Sequence, residues 1–215
     1  MIRLLRALLA LSLFVSGWGW NDIPGFLHDP ARCVFAGVLL LFGLISPIQP
    51  LSQARSGVGE MPLGLALASL VLIPSLIAGA VLLAYADRHA ILVTQGEWRR
   101  WIGVGLFALG GCIQFSSMRQ LGRQYSPMVL LQSSHQLVQR GLYSYIRHPM
   151  YAGLLLALPG ISASFRSVLA LPIAIATAAF VYIRIRAEER MLAARFGPEF
   201  ETYKQRTKML IPTLF

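Results

Sequence analysis

The sequence predicts an all-α integral membrane protein of about five to six transmembrane helices, with a polar pocket on the cytoplasmic side built by its C-terminal half. Three observations carry that expectation. Hydrophobic residues make up 56% of the 215 positions and charged residues 13%, outside the range of ordinary soluble domains. Two runs, Leu63 to Tyr85 and Trp101 to Met118, extend for 23 and 18 residues without a charge, against the roughly 20 that cross about 30 Å of hydrocarbon. Polar, aromatic and turn-forming residues concentrate in one stretch, Ser133 to Gly153, between apolar segments.

Taken in order, Met1 to Trp20 opens on Arg3 and Arg6 and closes on SGWGW, as a first membrane helix with an interfacial Trp pair does; a cleaved signal peptide is the competing reading. Asn21 to Arg32 holds Pro24, Gly25 and Pro30 and reads as a loop. Cys33 to Ala54 is uncharged and forms a second span, ended by Pro47 and Pro50. Leu63 to Tyr85 is the third, with a kink expected at Pro74. The fourth is Trp101 to Met118, whose Gly103, Gly105, Gly110 and Gly111 invite close approach of another helix. Met150 to Phe165 and Ser167 to Ile183, separated by Arg166, predict a helical hairpin bent at Pro159 and Pro172. The polar tail from Arg184 continues as helix to Gly197-Pro198, and a shorter helix starts at Glu199.

The net charge of +10 does not point to nucleic acid, because no basic helix or base-stacking platform separates from the apolar segments. With six crossings, 14 of the 19 Lys and Arg residues fall on the side of the N-terminus, the 119–149 loop and the C-terminal tail. The positive-inside rule makes that side cytoplasmic. Cys33 and Cys112 lie in apolar runs with no second Cys or His at ligand spacing, which predicts free, buried thiols.

The chemistry is expected where two polar groups meet on that side. His135, Arg140, Tyr143, Tyr145, Arg147, His148 and Tyr151 fall within seventeen positions, with Gly141, Pro149 and Gly153 setting turns. The hairpin returns the chain beside them with Arg184 and Glu188 on one helical face and Arg186 and Glu189 on another. Such residues either bind a ligand of both charge signs or form a solvated, salt-bridged helix end. His135 and His148 have no carboxylate or Cys at zinc spacing, so no metal site is expected.

These residues resemble the isoprenylcysteine carboxyl methyltransferase family and its phospholipid methyltransferase relatives. The matching text is His135-x-Leu137-Val138, Gly141-x-Tyr143, Arg147-His148-Pro149-x-Tyr151-x-Gly153, Glu188-Glu189-x-x-Leu192, Phe196-Gly197-x-Glu199-Phe200-x-x-Tyr203 and Leu210-Ile211-Pro212. The resemblance implies a membrane enzyme that uses S-adenosyl-L-methionine and a lipophilic, lipid or lipid-modified acceptor. It implies a cofactor pocket of Gln132, His135, Gln136, Leu137, Val138, Gly141, Tyr143, His148, Pro149, Met150, Tyr151, Glu188 and Glu189. Arg184, Glu188 and Arg147 are the implied catalytic residues, with Arg184 near the acceptor. Residues 1–118 would then form the acceptor side and 119–215 the catalytic region. The first 118 residues match only as hydrophobic spans. Carboxylate O-methylation is the first expectation, phospholipid N-methylation or small-thiol S-methylation the second. Sterol or enone reductases that use a reduced nicotinamide share a similar Arg-His-Pro-x-Tyr-x-Gly segment and are the third.

Overall fold

The computed structural model describes residues 1–47, 57–58, 63–122, 131–132 and 136–211. The described chain is helical apart from one pair of two-residue strands, β1 Gly57–Val58 and β2 Leu131–Gln132, which run antiparallel. Its principal helices are α1 Ile2–Trp18, α2 Ile23–Leu27, α3 Pro30–Ile45, α4 Leu63–Arg88, α5 Trp98–Leu121, α6 Pro149–Ser164, α7 Ala170–Phe196 and α8 Pro198–Arg206.

Local chemistry sets most of the boundaries. Asp29 caps α3 by accepting from the amides of Ala31 and Arg32, with Pro30 in the first helical position, so this helix begins before the expected Cys33. It ends at extended Ser46, the residue before Pro47; residues 48–54 of the expected span lie outside the described residues. Pro172 lies in the first turn of α7, where its missing N–H costs nothing, so it starts the helix and does not bend it. The second hairpin arm and the polar tail are therefore one 27-residue helix. Gly153, expected at a turn, lies inside α6.

Two described helices, α4 over Ala68–Arg88 and α5, are long and apolar enough to cross a membrane, and a third qualifies if α1 and Trp20–Leu27, bent by 88°, count as one span. α3 and α6 are apolar but only 16 residues each, about 24 Å at 1.5 Å per residue. Against the five to six crossings expected from apolar runs, length and composition identify two or three among the described helices.

α5 and α6 pack with backbones in near contact. A Cβ on Gly103 would collide with Ala163 and Ser164, one on Gly110 with the Gly153 carbonyl, and one on Gly160 with the Phe107 amide. Gly111 faces the Phe42 ring, while Gly105 faces open space. The core beside this seam is aromatic. Phe165, fully buried, stacks on Phe14 at 5.1 Å and meets Phe35 edge-on at 5.2 Å, and Phe35 lies 4.8 Å from Phe107. Trp18 is also buried, under the Arg32 guanidinium, so only Trp20 of the expected interfacial pair is exposed. Cys112 is exposed and Cys33 half-buried, which corrects the expectation of buried thiols.

At the end of the bundle away from the Ser133–Gly153 stretch, residues expected in plain loops form an ion cluster around the buried Asp87. Arg100 grips Asp87 with two hydrogen bonds of 2.7 and 2.9 Å. Arg32 and Arg166 reach the same carboxylate at 3.0 and 3.2 Å. Arg100 also pairs with Asp29 and Glu97, each at 2.9 Å, and Arg166 with Glu97 at 2.8 Å. Three arginines and three carboxylates balance there, tying the starts of α3 and α5, the end of α4 and the α6–α7 turn. Backbone bonds from Thr94 to Arg166 and from Val168 to Leu92 close the same end.

Candidate functional site

The site forms at the opposite end, where the stretch before α6 is held from three directions. Gly141 has φ +62 and starts a single 3-10 turn, Gly141–Ser144, whose Leu142 amide donates to Gln120 Oε1 at 2.8 Å. After the turn, the amides of Arg147 and His148 donate to the carbonyls of Lys208 and Met209. Tyr203, buried in α8, donates its hydroxyl to the Tyr143 carbonyl at 2.7 Å, and burial pushes that hydroxyl up to about 12. His148 then caps α6, Pro149 takes its first position, and Tyr151 points at α7.

Two carboxylates on α7 meet these residues, with His148 between them. Tyr151 donates to Glu188 Oε1, while Arg184 Nε donates to the Tyr151 oxygen at 2.6 Å and to Glu188 Oε1 at 3.3 Å. The other Glu188 oxygen lies 3.7 Å from His148 Nδ1. Glu189 Oε1 accepts from Arg147 Nε at 2.7 Å and lies 3.3 Å from His148 Nε2. Arg147 also donates to the carbonyls of Thr207 and Lys204. Burial alone would raise the Glu189 carboxyl, but the hydrogen bonds from His148 and Arg147 hold it down to about 2. The Glu188 side chain is 24% exposed and that of Glu189 6%. Glu189 therefore locks α7 to the start of α6, and Glu188 is the more exposed of the two carboxylates. The Arg186–Glu189 pairing suggested by spacing is replaced by Arg147–Glu189, because Arg186 faces outward and Glu189 inward.

A profile of the phospholipid methyltransferases matches residues 98–199. Over those residues the chain is similar to the phospholipid methyltransferases. The matched region runs from α5 through the Arg184–Glu189 segment and so contains both carboxylates, His148, Tyr151 and the Gly141 turn. Among curated relatives, the chain is 31% identical over 128 residues to the nickel-cobalt-cadmium resistance protein NccN of Alcaligenes xylosoxydans xylosoxydans, covering 58% of this chain and 59% of NccN. It is 31% identical over 116 residues to the protein-S-isoprenylcysteine O-methyltransferase of Schizosaccharomyces pombe, 52% of this chain and 48% of that protein. It is 38% identical over 77 residues to methanethiol S-methyltransferase 2 of Bradyrhizobium diazoefficiens, 34% of this chain and 28% of that one. The chain thus spans about a quarter to three fifths of these relatives' lengths. The fold matches the solved eukaryotic intramembrane Ras methyltransferase ICMT with a TM-score of 0.57 at 20% identity, over 97% of this chain and 75% of that one.

Within the matched region the expected site residues divide. Tyr151, Arg184, Glu188, His148, Arg147 and Glu189 form one bonded network. Met150 lines a groove beside it, Tyr143 is buried behind it, and Gly141 and Pro149 shape its backbone. Gln136 is exposed and Leu137 and Val138 half-buried on the strand-like approach, with no hydrogen bond to the network. Gln132 pairs through β2 with Gly57, and His135 lies outside the described residues. Gln120 and the Lys204–Met209 backbone also hold the site and were not expected. Gln120 carries no signal in the sequence, since its partner, the Leu142 amide, lies 22 positions away.

The groove lies between α4, α6 and α7, has a volume of about 240 Å³, and is walled by side chains such as Leu72, Leu76, Leu154 and Phe180. Tyr151 and Arg184 stand at its polar end. The network's residues suit S-adenosyl-L-methionine by chemistry: a partly open carboxylate for an ammonium, a guanidinium for an anion, and aromatic rings for flat, apolar surface.

Proposed function

We propose that this chain is an integral membrane methyltransferase that uses S-adenosyl-L-methionine and methylates a lipophilic acceptor with an anionic head, of the isoprenylcysteine-carboxylate kind. The observation that carries this reading is the placing of Arg184 and Tyr151 where the apolar groove meets Glu188. An apolar tail would occupy the groove, and its head would then lie against a guanidinium. The bound cofactor supplies a methyl group carried on a positively charged sulfur.

Each residue then has a defined task. Glu188, fixed by Tyr151 and Arg184, accepts the cofactor's ammonium. Arg184 orients the anionic acceptor and offsets its charge; a carboxylate of pKa about 4 is already ionised at neutral pH and needs no base. His148, Arg147 and Glu189 hold the starts of the two polar segments in register, so that donor and acceptor are aligned and water is excluded. The groove's apolar walls suit an acceptor with an apolar tail. On this reading residues 119–215 carry the cofactor, residues 1–118 shape the acceptor path, and the site faces the cytoplasm, as the Lys and Arg distribution supports.

The test is calorimetry on detergent-purified protein with S-adenosylhomocysteine and, separately, a reduced nicotinamide. Micromolar binding of the first that is lost in Glu188→Ala is the expected result. Binding of the nicotinamide alone would replace this reading with a reductase, and binding of neither would remove the enzyme reading. With a prenylated, free-carboxyl acceptor, Arg184→Lys should lower kcat/KM at least tenfold, because an ammonium cannot form a two-point contact. Full activity in that variant would remove the guanidinium's role.

A further inference from the structure

We infer that a second groove, between α5, α6 and α7 at the end opposite the candidate site, holds one anionic glycerophospholipid, with its phosphate on Arg99 and Trp98 and an acyl chain between the helices. The groove has a volume of about 290 Å³, and its walls include Ile102, Pro159, Val168, Leu171 and Ala174. Ile102 and Leu171 also belong to the apolar outer surface of the bundle, so the groove opens where acyl chains lie. Its mouth is polar in a specific way. The Arg99 guanidinium sits over the Trp98 ring at 5.3 Å and has no carboxylate or carbonyl partner among the described residues. The Trp98 indole N–H likewise has no protein acceptor among them, and its ring is largely exposed.

Charge complementarity selects the occupant. Behind the mouth, Arg32, Arg100 and Arg166 are balanced by Asp29, Asp87 and Glu97, so the Arg99 charge is left over. The Thr94 and Ser162 hydroxyls each already donate to a backbone carbonyl, so neither adds a donor at the mouth. What remains is one cation with five donors and one indole donor above an apolar slot, which is complementary to a phosphodiester carrying an acyl chain. The cation favours a net anionic headgroup over a zwitterionic one, whose own ammonium would oppose Arg99.

The experiment is native mass spectrometry of the full chain released from detergent containing equal phosphatidylglycerol and phosphatidylcholine. One phosphatidylglycerol should be retained per chain, at least fivefold over phosphatidylcholine. Arg99→Gln should abolish that preference, Ala174→Phe should reduce retention of both lipids by filling the slot, and Arg119→Gln, at the other end of α5, should change nothing. Circular dichroism confirms that each variant remains helical. Equal retention of the two lipids by the parent chain, an unchanged preference in Arg99→Gln, or the same loss in Arg119→Gln would each overturn the proposal.

Discussion

Glu188 and Glu189 are neighbours in sequence with opposite circumstances, and the difference follows from what each touches. Glu189 is enclosed by Arg147 and His148 and held down to about 2. Its folded-state pKa is depressed from the usual 4.5, so its contribution to stability is complete above that value and fades as pH falls towards 2. Thermal unfolding of the parent chain should therefore weaken across that window. Glu189→Gln, already lacking the charged bond, should unfold at lower temperature at neutral pH but with a flatter acid limb. The Arg184–Glu188 contact was legible because a four-residue spacing on one helix is a local property. The Glu189 partner was not, since helical spacing identifies a face without saying which element covers it. Gln120 escaped for a related reason: a carboxamide at the end of an apolar run carries no signal until the Leu142 amide is known to reach it.

At the scale of elements, the α5–α6 seam depends on glycines whose missing side chains let two backbones touch. Gly103→Leu or Gly160→Leu should lower the melting temperature sharply, with overpacking costing about 1–3 kcal/mol or more. Gly105→Leu, on the same helix but facing open space, should be neutral within error. Differential scanning fluorimetry separates the two outcomes. All four α5 glycines looked alike in sequence, because the repeat of small residues shows that a close approach exists without giving its rotational phase. Helix α7 was legible as two segments and is one: Ile183 to Arg184 changes polarity but not conformation. Hydropathy tracks the solvent along a helix, whereas breaks come from backbone chemistry such as Pro47 after Ser46.

For the whole molecule, the charged knot around Asp87 and the aromatic cluster around Phe165 hold together the end remote from the site. Asp87→Asn leaves buried guanidinium groups without their shared partner and should destabilise the protein by about 3–5 kcal/mol. Chains that remain folded should bind S-adenosylhomocysteine with the parent affinity, because no member of the knot reaches the Glu188 network; urea titration and calorimetry measure the two effects. In sequence these charges read as loop residues setting orientation, since Asp29, Asp87 and Arg166 are 58 and 79 positions apart and only the folded bundle gathers them.

The α6–α7 hairpin is pinned at both ends, by Arg147 and His148 on Glu189 at one and by Arg166 on Asp87 at the other. Helices restrained in this way cannot slide or tilt to suit the lipid around them, and α6 has only 16 residues, about 24 Å, to offer. The bilayer must therefore do the adapting. Reconstituted into vesicles of graded chain length, the protein should work best in thin membranes and lose turnover as the hydrocarbon thickens beyond what its short hairpin can match.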